Sequence, residues 1–201
     1  TFTPTDKSYT GAVTPAKVQA ESSNGIKVDT TYTPEIVPVT PTARPAETED
    51  IQGATQTGKP EFKGGTVTVD GVEKTVEINE DVPATFDDGS TTKTVEGVGT
   101  YTVAADGTVT FVPEKSFVGT APAVTVVRED KNGTKASATS TPTVLPVTPT
   151  ATPAETTDIQ CATQTGKPEF KGGTVTVDGV EKTVEINEDG PPPFDNGSTT
   201  K

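Results

Sequence analysis

The chain has 201 residues and a formal net charge of −13, and only 29% of its residues are hydrophobic. This acidity argues against nucleic acid as a partner, because proteins that bind it carry a basic surface, and equally against attraction to an anionic membrane. The absence of histidine excludes a Ser–His or Cys–His catalytic pair, and no apolar run approaches the roughly 20 residues of a membrane-spanning helix. We therefore expect a protein that is not an enzyme, with a small core, no cofactor and no membrane insertion.

A stretch of 25 residues, TGKPEFKGGTVTVDGVEKTVEINED, occurs twice without change, beginning at Thr57 and again at Thr165. The residues that precede it, from Val39 and from Val147, correspond at the same offset of 108. A period of this kind indicates tandem repeats, each of which forms one structural unit. Three units follow from the offset: the C-terminal part of a repeat at 1–38, one complete repeat at 39–146, and the N-terminal part of a further repeat at 147–201.

The first predicted element of the complete repeat is a β-hairpin. In TVTVDGVEKTVEI, two alternating runs flank Asp70 and Gly71, and a two-residue Asp-Gly loop favours a type I′ turn with positive φ at both positions. Pairing across this turn places the valines on one face. Lys74 falls on the same face and must lie at an edge or extend its amine to water.

Two further hairpins are predicted along the chain. GTYTVAADGTVTFV turns at Asp106-Gly107. In residues 121–144, the strands APAVTVVRED and TKASATSTPTV flank a turn at Asn132-Gly133. Short Thr/Val-rich strands with regular turn signals are typical of a β-sandwich or a partly open barrel. We expect residues 57–145 to fold as one β-sandwich, with a core that includes Phe62, Val67, Val76, Ile78, Tyr101, Val103, Val109, Phe111, Val124 and Val126.

Prolines recur every three or four residues between the repeats, at Pro142, Pro146, Pro149 and Pro153, and again 108 residues earlier. This spacing disfavours both helix and central strand. It favours polyproline II, a stiff spacer of about 3.1 Å per residue. The sequence therefore predicts an all-β protein in which Pro/Thr-rich extended linkers, residues 39–56 and 147–164, join small β-sandwich repeats.

Candidate chemistry is sparse. The acidic segment EINEDVPATFDDG offers Glu80, Asp81, Asp87 and Asp88 as weak calcium candidates, because Ca²⁺ prefers oxygen ligands; the same residues are ordinary turn formers on a solvated surface. The single cysteine, Cys161, lies in a linker with no visible base, and Gly53 occupies its place in the other copy. The final strand supplies no Asn or Asp for an internal isopeptide bond, and LPVTP at 145–149 lacks the glycine of a sortase signal.

Several long runs closely resemble the CshA-type fibril repeat of streptococcal surface adhesins. They are TGKPEF, the segment from Gly99 to Gly119 with its GTYTV, DGTVTF and F-x-G elements, and TPTVLPVTPTA. The resemblance implies tandem repeats in a secreted, cell-wall-attached, fibrillar protein. It also implies that another, non-repetitive region of such a protein binds the host ligand, fibronectin included, while the repeats contact one another in a stalk.

The resemblance thus predicts a structural stalk that projects a binding region from the cell surface. The alternative is a repeat that itself binds a host extracellular protein or saccharide. Only 5% of the residues are aromatic, and aromatic anchors usually dominate binding hot spots, so the stalk is favoured over the alternative.

The two terminal segments are expected to be incomplete. Either they form one window on a continuous array, or the head of one chain completes the tail of another by strand addition. The last copy also departs from the previous one, since Gly190 replaces Val82 and Pro192-Pro193 replaces Ala84-Thr85.

Overall fold

The computed structural model describes residues 1–187, and within that range it contains strands, turns and loops but no helix. No helix that could span a membrane is therefore found among the described residues. The predicted all-β class is confirmed. The strands of the first segment and of the start of the complete repeat are β1 (Gly11–Ala12), β2 (Ala16–Glu21), β3 (Lys27–Tyr32), β4 (Glu35–Ile36), β5 (Thr42–Arg44), β6 (Ala46–Ile51), β7 (Gln56–Gly58), β8 (Glu61–Lys63), β9 (Gly65–Val69) and β10 (Val72–Val76).

The rest of the complete repeat and the third segment supply the remaining strands. They are β11 (Thr85–Phe86), β12 (Thr92–Val95), β13 (Gly99–Val103), β14 (Val109–Pro113), β15 (Gly119–Thr120), β16 (Val124–Glu129), β17 (Lys135–Leu145), β18 (Thr150–Thr152), β19 (Glu169–Lys171), β20 (Gly173–Val177) and β21 (Val180–Val184).

The complete repeat is a sandwich of two sheets. One sheet has the order β11-β16-β17-β15, with β6 also paired to β17, and the other has the order β12-β13-β14-β7. All neighbours are antiparallel except β6 and β17, which are parallel. Both sheets contribute to one core. Its buried members are Ala84, Phe86, Tyr101, Val103, Val109, Phe111, Ala121, Val124, Val126 and Val144.

The hairpins have the strand register that alternation and turn chemistry favour. Tyr101 lies opposite Phe111 and Val103 opposite Val109 in β13–β14, and the two aromatic rings pack with centroids 4.6 Å apart. Most of the predicted core residues are buried. Phe62, Val67 and Val76 are only half-buried, because β9 and β10 form a separate two-stranded sheet and β8 pairs only with β5.

The predicted linker 39–56 is largely a strand-forming part of the domain. β5 pairs with β8, and β6 runs parallel to β17 through six residue pairs, from Ala46 beside Ser140 to Ile51 beside Leu145. The proline spacing suggested an extended spacer. Pro41 and Pro45 instead flank the short strand β5. β6 is extended because it pairs with β17, whose residues lie about 94 positions further along the chain.

Pro142 lies inside β17 and is fully buried. Its carbonyl accepts a hydrogen bond of 2.9 Å from the amide of Ala121. Since the N and C=O groups of a strand residue point to the same side, the missing N–H of Pro142 faces the gap between β15 and β16 rather than β6. A proline is therefore tolerated in this central strand.

The terminal segments form the same local pairs as the complete repeat. β2–β3 and β1–β4 have the registers of β16–β17 and β15–β17, displaced by 108 residues, although every residue of β2 and β3 is exposed. The third segment likewise repeats β5–β8 as β18–β19, so its predicted linker also contains a short strand. The substitutions at 190–193 lie outside the described residues.

Candidate functional site

The turn of the first hairpin has the backbone conformation of a tight two-residue loop. Asp70 and Gly71 have φ values of 52° and 77°, and Asp178 and Gly179 in the other copy have 48° and 78°. The pairing of Val69 with Val72 closes the loop directly. Asp70, Gly71 and Val72 are exposed, so the tip of the first hairpin lies on the surface.

The turn at Asp106-Gly107 is held by a network around the Asp106 carboxylate. It accepts hydrogen bonds from the Thr108 amide at 3.0 Å and hydroxyl at 2.9 Å, and it forms an ion pair with the Lys59 amine at 2.7 Å. The Lys59 hydrogen bond, followed by those of Thr108, lowers the pKa of Asp106 well below its usual range. Gly107 has a φ of 90°. The carboxylate thus closes the β13–β14 loop and ties it to the segment before β8.

The third turn depends on a residue that the sequence analysis missed. Asp130 is completely buried, and its Oδ1 accepts hydrogen bonds from the amides of Asn132 at 2.8 Å and Thr134 at 2.9 Å. Gly133 has a φ of 84°. The pattern Asp-Lys-Asn-Gly-Thr carried the signal, because an Asp side chain that binds amides two residues on is a common turn former.

The four weak calcium candidates do not converge. Glu80 is paired with Arg128 at 2.9 Å, and Asp87 is 3.7 Å from Lys93. Asp88 accepts a hydrogen bond from the Ser90 amide, and the Asp81 amide donates to Asn79. Across residues 1–187, no three side chains of the types that ligate metals gather into a cluster. Their local partners correspond to turn and surface chemistry.

A shallow cleft of about 550 Å³ lies beside these turns and is lined by Lys59, Phe62, Glu80, Asp106 and Arg128. Arg128 is another residue that the sequence analysis did not single out; it follows Val124 and Val126 on the inward face of β16 and is buried. The two ion pairs at the cleft, Arg128–Glu80 and Lys59–Asp106, neutralise its principal charges. Glu61 and Lys63 also line the cleft, so its three cationic and three anionic side chains carry no net charge.

Cys161 is exposed and free. Its φ of 66° is in the left-handed region, where the equivalent Gly53 has 80°. Both residues occupy a turn closed by an amide-to-carbonyl bond three residues apart, Ala162 to Ile159 and Ala54 to Ile51. Glycine adopts this left-handed conformation without steric cost. The thiol of Cys161 lies on the surface and does not take part in the turn.

The chain is similar to known repeats of surface adhesins. The family described as the surface adhesin CshA repetitive domain matches residues 38–144. Among solved structures, the chain is similar to repeat domain 13 of the fibrillar adhesin CshA from Streptococcus gordonii, determined by NMR, with 59% identity, coverage of 32% of this chain and 82% of that one, and a TM-score of 0.20. A comparison with curated proteins finds no match. Since the family match spans more than half of the residues, the chain belongs to the family of CshA surface-adhesin repeats.

Proposed function

We propose that the chain is a stalk segment of a bacterial fibrillar adhesin, located outside the cell and attached to the cell wall through its parent protein. Its repeats supply length and carry load, while another region of the parent protein binds the host ligand. Membership of a surface-adhesin repeat family supports the surface location. The partners of each repeat in this role are its neighbours in the same chain.

The relation between the terminal strands of the complete repeat carries this proposal. β6 and β17 are parallel neighbours over six residue pairs. In a parallel pair, the chain enters the first strand at one end of the sheet and leaves the second strand at the other end. The chain would then enter each sandwich at one end and leave it at the other. Tension along the chain would slide β6 against β17, so that the hydrogen bonds of this pair bear the load together.

The alternative, direct binding of a host protein or saccharide by the repeat, has less support. The exposed large hydrophobic residues of the complete repeat are Val72, Val112 and Val118. Its five aromatic side chains are buried or half-buried. Aromatic residues and arginine usually provide the anchors of binding hot spots, and this surface presents no exposed aromatic anchor.

Single-molecule force spectroscopy on the full chain, pulled from its two ends, tests the proposal. We expect one dominant rupture that releases the roughly 100 residues between β6 and the end of β17, or about 350 Å of contour at ~3.5 Å per residue. Thr48→Pro, which removes a backbone donor from β6, should lower the rupture force, whereas Thr156→Pro at the equivalent unpaired position should not. A chain that extends without a rupture, yet binds immobilised fibronectin or another host matrix protein, would support the alternative instead.

A further inference from the structure

The hairpin β20–β21 repeats β9–β10 residue for residue, yet its surroundings differ. Both hairpins have the same register around their Asp-Gly turns. Val177, at the end of β20, is only 3% exposed, whereas its counterpart Val69 is half-buried. Since the two sequences are identical, a contact outside the hairpin must cover Val177.

That contact is with the complete repeat. The amine of Lys182 lies 2.6 Å from Oδ2 of Asp50 on β6, and β20 packs beside β6. The other carboxylate oxygen of Asp50 accepts a hydrogen bond of 2.7 Å from the amide of Ile51. The Asp50 side chain is 15% exposed and that of Lys182 is 35% exposed, so this ion pair is screened from water more than most of the surface pairs of the chain.

The hairpin tip lies over one defined surface, which we term the acceptor face. A cleft of about 660 Å³ separates the two, with Val177, Asp178, Val180 and Lys182 on the hairpin side. The acceptor face consists of Glu47, Thr48, Glu49, Asp50, Thr57 and Thr143. It carries three carboxylates, and Lys182 brings the opposite charge to it.

We propose that this contact is the interface between successive repeats. The hairpin of one repeat is seated on the acceptor face of the repeat before it, and the lysine at the position of Lys182 pairs with the aspartate at the position of Asp50. The inference rests on the stalk function proposed above and names the partner of each repeat, which is the next copy. One repeat presents both surfaces, the hairpin with Lys74 and the acceptor face with Asp50, so the contact is head-to-tail and can propagate along an array. It restricts bending between neighbours.

Spin-label distance measurements on the full chain test this interface. The labels are placed on Val112→Cys, on the exposed outer side of β14, and Thr176→Cys, an exposed position on β20, with Cys161→Gly to remove the native thiol. A seated hairpin gives one narrow distance distribution. We expect Lys182→Gln and Asp50→Asn each to broaden it at least twofold, and the exchange Asp50→Lys with Lys182→Asp to restore it.

The internal repeat supplies matched controls. Lys74 occupies the same place in an identical hairpin, and Asp158 is the equivalent of Asp50, but neither forms an ion pair among residues 1–187. Lys74→Gln and Asp158→Asn should therefore leave the distribution narrow. A broad distribution in the parent chain, or equal effects of Lys182→Gln and Lys74→Gln, would overturn the interface. Such a result would leave the force-spectroscopy rupture of β6 from β17 untouched, so the failure of one proposal is distinguishable from that of the other.

Discussion

The hydroxyl group of Tyr101 donates a hydrogen bond of 2.8 Å to the backbone carbonyl of Pro122. Tyr101 lies on β13 in one sheet and is fully buried, and Pro122 precedes β16 of the other sheet. The bond therefore connects the two layers of the sandwich at its core. It also gives the hydroxyl group of the buried Tyr101 a hydrogen-bond partner.

Replacing Tyr101 by phenylalanine should destabilise the complete repeat by about 1 kcal/mol, because the Pro122 carbonyl loses its donor while the aromatic packing is retained. Urea denaturation followed by circular dichroism measures the change. Tyr9→Phe is the matched control, since the Tyr9 hydroxyl also donates to a carbonyl, that of Ala12, but at an exposed site. Equal effects of the two substitutions would mean that the bond across the sandwich adds nothing.

The same residue predicts how stability responds to alkaline pH. Burial raises the pKa of Tyr101 to about 12, whereas the unfolded phenol ionises near its ordinary value of about 10. The stability that Tyr101 contributes is therefore complete below pH 10 and is lost as the pH rises from about 10 to 12. Melting temperatures measured across this range should fall more steeply for the parent chain than for Tyr101→Phe. Parallel curves would contradict the raised pKa.

Gly99 should not tolerate a side chain. Its φ is 151°, and a Cβ atom there would lie 2.4 Å from the carbonyl oxygen of Val112 and 2.8 Å from Cα of Pro113. Gly99→Ala would force β13 and β14 apart, so we expect a loss of more than about 2 kcal/mol. Gly97→Asn is the control, because Gly97 has a φ of 75° with open space around it and asparagine tolerates that conformation. Comparable melting temperatures for both variants would contradict the close approach.

Calcium should not stabilise the chain. Glu80 and Asp87 already have cationic neighbours in Arg128 and Lys93, and Asp88 accepts the Ser90 amide. Thermal melts with millimolar calcium and with a chelator should therefore coincide. A rise of more than about 5 °C in calcium would indicate linkage between binding and folding, and would require these carboxylates to rearrange.

Local chemistry was enough to predict the hairpins. The alternation of Tyr101 with Val103 and of Val109 with Phe111 identified one face, and Gly107 located the turn between them. Each of these signals lies within about ten residues of its partner. The sequence also contained the signal for Arg128, because it continues the inward alternation of β16, but a charged side chain was not expected in the core.

The strand β6 could not be predicted, because its conformation depends on a distant partner. Residues 46–51 read AETEDI and form a strand beside β17, whereas residues 154–159 read AETTDI and are not a strand. The two segments differ by one residue, so their own propensities cannot explain the difference. Only the first has β17 beside it, and its ladder joins residues about 94 positions apart. For the same reason the aspartate on this strand could not be recognised as a partner for Lys182.

The attachment of β6 to the sandwich depends on Gln56, which yields the last prediction. Gln56 is 4% exposed; its Oε1 accepts the hydroxyl of Thr48 on β6 at 2.7 Å, and its Nε2 donates to the carbonyl of Thr143 on β17 at 2.9 Å. Gln56→Leu keeps the side chain's approximate size but leaves both partners unsatisfied. We expect a loss of about 2 kcal/mol, since each buried group left unpaired costs about 1 kcal/mol or more.

The repeat again provides the control for this substitution. Gln164 accepts the hydroxyl of Thr156 at 2.6 Å, as Gln56 accepts that of Thr48. This second pair is exposed, and within residues 1–187 no strand equivalent to β17 lies beside it. Gln164→Leu should therefore leave the urea midpoint of the complete repeat unchanged. If Gln56→Leu has no larger effect than Gln164→Leu, the side chain does not hold β6 against β17, and the load-bearing pair must depend on its backbone hydrogen bonds alone.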